Sequence, residues 1–147
     1  MHDIGKVAIR DHILLNPGKL TPDEFEIMKE HAKFGETIIT HLIENNKSAT
    51  FLLYAKEIAG SHHEKWDGSG YPRGLKAEEI PLSARIMAIA DVYDALISKR
   101  VYKKGFTHDD AVEIIVKGKG THFDPELVDV FLELDDEFLR IAEEFSD

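Results

Sequence analysis

The stretch TPDEFEIMKEHAKFG, residues 21–35, carries the clearest secondary-structure signal in this chain. Thr21 is a favourable N-cap, Pro22 suits the first helical position, and Glu24 is placed to close a capping box. Apolar residues then recur at roughly helical spacing, namely Phe25, Ile27, Met28, Ile38, Ile39 and Leu42. The pattern predicts a first helix that begins here.

Further helical patterns, separated by short polar joints, follow along the chain. They predict helices over about residues 48–64 and 82–98, from the Thr107 cap to Lys117, and from Asp124-Pro125 onward. Residues 135–147 are typical of an amphipathic, acidic surface helix. Because no cap or turn precedes His2, the chain is expected to begin inside an element. The predicted fold class is all-α.

The composition predicts one soluble domain over residues 1–147, with 43% hydrophobic and 31% charged residues. The chain has no cysteine, no apolar run approaching about 18 residues and no signal segment, which favours the cytoplasm and predicts no membrane contact. Candidate metal ligands are therefore the 8 histidines and the carboxylates. A net charge of −10 argues against binding a nucleic-acid polymer.

The stretch HHEKWDGSGYPRGL, residues 62–75, joins two adjacent histidines to a glycine-rich loop. Adjacent residues on a helical turn diverge by about 100°, so His62 and His63 are able to face different ions. The alternative is one core and one surface histidine before an ordinary turn. Trp66 and Tyr71 offer stacking faces for a base, although aromatic residues in such loops are usually core plugs.

Three further positions are candidate ligands. In His2-Asp3 the carboxylate has two oxygens and could bridge two cations, although a terminal His-Asp alone is usually a disordered end or a tag remnant. His31 shares a stripe with Ile27, Met28 and Phe34, so it should point inward, either to a metal or to a backbone carbonyl.

Asp91 lies in an apolar helix, where a buried carboxylate is costly unless it is paired or bound to a cation. This favours metal ligation over a simple salt bridge. Asp94, one turn on, is interpreted as a surface residue, with a hydrogen-bonding partner of a metal ligand as the alternative. The remaining histidines are interpreted as surface or packing residues: His12, His41, His108 and His122.

Positive charge for a phosphate ligand is available at several places. Lys6 shares a helical face with Asp3, and Arg100 offers a planar fork for phosphate or guanine. Solvated side chains are the alternative for both, and for the local cationic residues Arg73, Lys76, Lys99, Lys103 and Lys104.

Taken in order, these motifs strongly resemble the HD-GYP family over nearly the whole chain. The matching residues are His2-Asp3-Ile4-Gly5-Lys6, Pro17-Gly18-Lys19-Leu20-Thr21, His31, residues 62–75, Ile80-Pro81-Leu82, residues 91–96, Arg100, Tyr102, Lys103 and residues 120–125. The resemblance implies a helical HD-superfamily fold and hydrolysis of cyclic di-GMP to pGpG, GMP or both.

The resemblance also implies roles for individual residues. Two or more divalent cations, iron or manganese by family expectation, would be held by His2, Asp3, His31, His62, His63 and Asp91. Asp3 would bridge the cations, and Lys6 would assist at the scissile phosphate. The dinucleotide would contact Tyr71, Pro72, Arg100 and Lys103.

One departure is that family members carry a helix before the His-Asp pair, which supplies a further histidine and often a glutamate. The resemblance therefore implies an HD-GYP domain that is N-terminally truncated, lacks its first helix or helices and has little activity of its own. It also implies exposed apolar surface, which a second copy of the chain would cover in a homodimer or which would cause aggregation.

Two other functions stay open at this point. The first is a non-catalytic module that binds cyclic di-GMP or a protein, such as a diguanylate-cyclase-type signalling partner. The second is an HD phosphohydrolase for another nucleotide, which the tyrosine-proline loop disfavours.

Overall fold

A computed structural model describes residues 1–45, 49–98 and 106–145 of the chain. Its α-helices are α1 (Asp11–Leu14), α2 (Pro22–Asn45), α3 (Phe51–Ser61), α4 (Leu82–Ile97), α5 (His108–Lys117), α6 (Pro125–Glu133) and α7 (Asp135–Glu144). Two 3-10 helices cover Ile4–Ala8 and Ala77–Glu79. The described residues form no β-strand, which confirms the all-α prediction.

The helix starts that were predicted from capping residues are found at those residues. A Glu24 carboxylate oxygen accepts from the Thr21 backbone N–H at 2.8 Å, and the Glu24 N–H donates to the Thr21 hydroxyl at 3.3 Å. Thr107 and Asp110 form the same reciprocal pair at the start of α5, and Asp124 caps α6. Local side-chain chemistry therefore fixes where three helices begin.

Other boundaries differ from the sequence predictions. Helix α3 ends at Ser61, so residues 62–64 lie beyond its last turn, while Ser48 lies outside the described residues. His2 and Asp3 form a turn directly before the 3-10 helix at Ile4–Ala8, so the expectation that the chain begins inside an element is wrong. Both 3-10 helices and α1 were not predicted.

Two groups of buried side chains form the core, and α4 packs against helices of both. The first group lies between α2, α3 and the N-terminal 3-10 helix and contains Ile39, Leu52, Ala55 and Ala59. The second joins α4 to α5, α6 and α7 and contains Ala88, Ile89, Tyr93, Ala111, Ile115, Phe123, Val128 and Phe131. The N-terminal segment and α4 therefore converge at the junction of the two groups.

The buried stripe of α2 differs from the one predicted. His31 is buried as expected, but Ile27 and Phe34 are 44% and 38% exposed. The residues buried with His31 are Ala32, Gly35 and Ile39. Gly35 faces inward where the Gly5 backbone approaches α2 closely, which leaves no room there for a larger side chain.

Several large apolar side chains of the N-terminal half are exposed. On α2 and α3 they are Phe25, Ile27, Phe34, Leu42, Phe51, Leu53 and Tyr54. Across the described ranges, no helix combines the length and apolar character needed to cross a membrane.

Candidate metal centre

Four of the predicted ligands meet at one place. Asp3, His31, His62 and His63 each offer one ligand atom, and these atoms all lie within 4.8 Å of one another. They come from three segments: the turn before the N-terminal 3-10 helix, helix α2, and the end of α3. The site is therefore assembled by tertiary packing rather than by one local motif.

Backbone carbonyls orient His31 and His62. Nδ1 of His31 lies 2.7 Å from the Met28 carbonyl oxygen, and Nδ1 of His62 lies 2.9 Å from that of Ile58. A carbonyl only accepts, so each Nδ1 carries a proton, and in the neutral form of either ring the lone pair is on Nε2. Two such lone pairs cannot bond to each other, yet the two Nε2 atoms lie 3.5 Å apart. A cation is the species that this donor set fits.

The two carboxylate oxygens of Asp3 face different partners. Oδ1 lies 3.5 Å from Nε2 of His31 and 3.9 Å from Nε2 of His62. Oδ2 lies 3.2 Å from Nε2 of His2 and 2.7 Å from Nζ of Lys6. Asp3 thus lies between His31 and His62 on one side and His2 and Lys6 on the other, a position that suits a bridging carboxylate.

Asp91 lies on the His2 side of Asp3. Its Oδ1 lies 3.5 Å from Nε2 of His2. The side chain is 31% exposed, so the expectation that this carboxylate is buried is wrong. Asp91 projects from α4 towards His2, and its place in the site comes from this position rather than from burial. Asp94 is exposed, as predicted.

The pKa of Asp3 is set by opposing effects. Partial burial raises it, but the hydrogen bond and positive charge of Lys6, with smaller contributions from His2 and His31, hold the pKa below its ordinary value. Asp3 is therefore ionised at neutral pH, as a metal ligand must be.

His63 lies against Tyr71 of the glycine-rich loop. The two rings stack with centroids 4.8 Å apart and an interplanar angle of 27°. Burial, together with His62 and His31, lowers the pKa of His63 to about 3, and burial also lowers the pKa of His62. Burial, with the Asp3 and Asp91 carboxylates, raises the pKa of Tyr71 to about 12. At neutral pH these two imidazoles are free to ligate, and the phenol remains a donor.

Two glycines permit the close contacts that bring these segments together. A Cβ on Gly5 would lie 1.9 Å from the His31 carbonyl oxygen and 2.4 Å from the Gly35 nitrogen. A Cβ on Gly70 would lie 2.5 Å from the His63 carbonyl oxygen. Gly5 therefore lets Asp3 reach His31, and Gly70 lets the loop fold over the histidine pair.

Sequence reasoning missed the role of Glu64. This side chain is only 2% exposed, and its two carboxylate oxygens accept from the backbone N–H groups of Arg73 at 2.7 Å and Leu75 at 3.0 Å. Arg73 itself binds Glu36 at 2.7 Å and Ser61 at 2.7 Å. The available signal was an acidic residue directly before a loop whose backbone donors need an acceptor.

The other predicted residues lie around the site or outside the described residues. Trp66 lies near the guanidinium of Arg85, whose central carbon is 5.8 Å from the ring centroid. Pro72 follows Tyr71 through a cis peptide bond at the edge of the site. Arg100 and Lys103 lie outside the described residues.

The four histidines that were interpreted as surface or packing residues lie away from the ligand cluster. His12 and His41 are exposed, Nδ1 of His108 lies 2.9 Å from the Tyr93 hydroxyl, and His122 stacks on Phe123.

Comparison with known proteins identifies the family. The HD domain family matches residues 1–127. A probable cyclic di-GMP phosphodiesterase of Vibrio cholerae is 56% identical over 100% of this chain and 34% of its own length. A cyclic di-GMP phosphodiesterase of Thermotoga maritima is 47% identical over 96% of this chain and 37% of its own. A 3'3'-cGAMP-specific phosphodiesterase 2 of Vibrio cholerae is 48% identical over 100% of this chain and 27% of its own.

A solved structure agrees in fold. The crystal structure of a cyclic GMP-AMP-specific phosphodiesterase of Vibrio cholerae matches with a TM-score of 0.54 at 24% identity, over 92% of this chain and 34% of that one. The chain thus spans about a third of the length of the curated relatives named above. From its matching residues and its relatives, the chain belongs to the HD domain family, within the HD-GYP group.

Proposed function

We propose that this chain is the catalytic domain of a metal-dependent phosphodiesterase that hydrolyses cyclic di-GMP to pGpG, GMP or both. The observation that carries the proposal is the position of Asp3, whose Oδ1 faces His31 and His62 while its Oδ2 faces His2. This arrangement supports a bridged pair of cations, which is a common centre for phosphodiester hydrolysis.

In the proposed site, His31, His62 and His63 would hold one cation, His2 and Asp91 would hold a second, and Asp3 would serve both. Imidazole and carboxylate donors suit iron or manganese, which is our proposal for the metal. Divalent cations supply Lewis acidity and an activated water when bound.

The chain's own side chains bind and orient the substrate. Lys6 holds its ammonium 2.7 Å from Oδ2 of Asp3, where it would attract the scissile phosphate and stabilise developing negative charge. The protonated Tyr71 phenol is positioned to donate a hydrogen bond. Pro72, Arg100 and Lys103 are proposed as further contacts to the dinucleotide, and Lys6 and Asp3 as the catalytic pair.

Cyclic di-GMP is proposed over 3'3'-cGAMP because relatives named for cyclic di-GMP include those at 56% and 55% identity, while relatives named for 3'3'-cGAMP are at 48%, 40% and 36%. We further propose that the protein acts in the cytoplasm and that a second copy, or a diguanylate-cyclase-type protein, is its partner.

The test is hydrolysis of cyclic di-GMP by the 147-residue chain reconstituted with Mn²⁺ or Fe²⁺, followed by separation of pGpG and GMP. We expect Asp3→Asn to lose turnover by at least about 100-fold, because the carboxylate is needed at both cations. Asp11→Asn, at an exposed position in the same segment, is the matched control and should retain activity. Full turnover in Asp3→Asn would refute the proposal.

A second candidate, a non-catalytic cyclic di-GMP-binding module, is favoured by one observation. The compact ligand cluster contains Asp3, His31, His62 and His63. Asp91 lies outside this cluster, and its side chain is 31% exposed. This candidate predicts one metal ion per chain and binding without turnover. Metal content measured beside the hydrolysis assay separates the two functions.

A further inference from the structure

Beside Tyr71, the rim of the site carries the Phe25 ring and the Lys29 ammonium group. The Phe25 ring lies edge-on to the Tyr71 ring, with centroids 6.4 Å apart and an interplanar angle of 81°. Nζ of Lys29 lies 5.1 Å from the Phe25 centroid and 5.6 Å from the Tyr71 centroid. We call these three side chains the α2 rim.

The α2 rim is continuous with the metal centre. Tyr71 stacks directly on His63, and Phe25 and Lys29 lie one turn apart on α2, the helix that carries His31. The base and phosphate of a nucleotide are separated by one sugar. A phosphate bound among Asp3, Lys6 and the histidines would therefore place a base beside this rim.

The chemistry of the rim suits guanine. Phe25 is 46% exposed, and an exposed aromatic ring stacks with any base. An ammonium has three donors and no acceptor, so it bonds to O6 and N7 of guanine, whereas adenine presents an amino donor beside N7.

Lys29 is also available to a ligand. Its ammonium pairs with Glu26 at 2.6 Å, but the Glu26 side chain is 70% exposed. Such surface pairs contribute little, so exchanging Glu26 for a base carbonyl costs little. The Lys29 side chain itself is 26% exposed, and two rings hold it in place.

We infer that Phe25 and Lys29 bind the base of the substrate and that Lys29 selects guanine over adenine. The inference rests on the proposed function, since it assigns base specificity to that same site.

The test compares equilibrium binding of cyclic di-GMP and cyclic di-AMP to the Mn²⁺-loaded chain. Lys29→Met should weaken cyclic di-GMP binding about tenfold, the effect of losing a hydrogen bond from a charged donor, and should weaken cyclic di-AMP binding much less, because adenine offers the ammonium N7 but no O6. Lys33→Met is the matched control: Lys33 lies one turn further along α2 and pairs with Glu30 at 3.1 Å with the same spacing. It should bind both ligands like the wild type.

A second variant tests the aromatic surface. Phe25→Ala should weaken binding of both dinucleotides by about tenfold, because stacking tolerates any base. Phe34→Ala is the control, since nine residues along a helix turn its side chain by about 180° to the opposite side. It should leave both affinities unchanged.

If Lys29→Met loses the same affinity for both dinucleotides, Lys29 attracts phosphate in general and does not select guanine. If it loses no affinity for either, Lys29 does not bind the base. Either result would overturn the assignment. Hydrolysis by the same proteins separates this inference from the proposed function. Selective binding without turnover in the wild type refutes only the function, whereas turnover with unchanged selectivity in Lys29→Met refutes only the inference. If the wild type binds neither ligand, both are wrong.

Discussion

His31 and His62 turn their Nε2 atoms towards each other at 3.5 Å, while their Nδ1 atoms lie against backbone carbonyls of their own segments. Both rings are therefore oriented for ligation before an ion arrives. Little reorganisation is then needed on binding, which favours affinity.

Metal should stabilise the folded chain. At a free Mn²⁺ concentration about 100 times Kd, binding contributes about 2.7 kcal/mol, which corresponds to a rise in Tm of about 8 °C for a chain of this size. His31→Gln should abolish most of this rise in thermal denaturation with and without Mn²⁺. His41→Gln, at an exposed histidine of the same helix, should retain it. An equal rise in His31→Gln would contradict the ligand assignment.

Acid should destabilise the metal-free chain from about pH 6.5 downward. The folded-state pKa values of His62 and His63 are depressed, that of His63 to about 3, so the unfolded state binds protons first as the pH falls. The stabilisation is complete above the unfolded pKa of about 6.5 and is lost progressively towards pH 3.

Urea denaturation at several pH values between 7.5 and 5 measures this effect. His63→Gln should show a shallower decline in the free energy of unfolding with falling pH, while His12→Gln, at an exposed position, should follow the wild type. A wild-type stability that does not change over this range would show that the two histidines titrate normally.

Glu64 should be needed for stability. Glu64→Ala removes the acceptor from the N–H groups of Arg73 and Leu75, and we expect a loss of about 3 kcal/mol in the free energy of unfolding. Glu64→Gln, which keeps one oxygen, should lose less. Glu78→Ala, at an exposed glutamate, should change the value by no more than about 0.5 kcal/mol. Urea denaturation gives all three values, and a neutral Glu64→Ala would show that the loop is held by other contacts.

Gly5→Ala should separate Asp3 from His31. The added Cβ would meet backbone atoms at 1.9 Å and 2.4 Å, and backbone cannot move aside as a flexible side chain does. We expect a loss of about 3 kcal/mol and much weaker metal binding, measured by denaturation and by elemental analysis. Gly18→Ala, whose Cβ would meet only an Asn16 side-chain oxygen at 3.4 Å, should behave like the wild type.

The sequence was most informative where the structure depends on neighbouring residues. Thr21 with Glu24, Thr107 with Asp110, and Asp124 each satisfy backbone donors within three residues, so these helix starts were predictable. The six ligands named from the sequence also lie together, although their roles stay predictions.

Features that depend on distant contacts were not predictable. Ile27 and Phe34 are partly exposed, whereas Gly35 is buried where the Gly5 backbone approaches α2. Hydrophobicity alone predicted that the larger residues would be buried. The hydrogen bonds of Glu64 reach nine and eleven residues along the chain, beyond any local capping pattern.

The pairing of His2 with Asp91 joins positions 89 residues apart (91 − 2), so the two donor groups exist together only once α4 has packed against the N-terminal segment. Contacts of such high sequence separation form late in folding and disappear with global unfolding. In the proposed two-metal site, the fraction of chains loaded with ions would therefore report how much of a preparation is correctly folded.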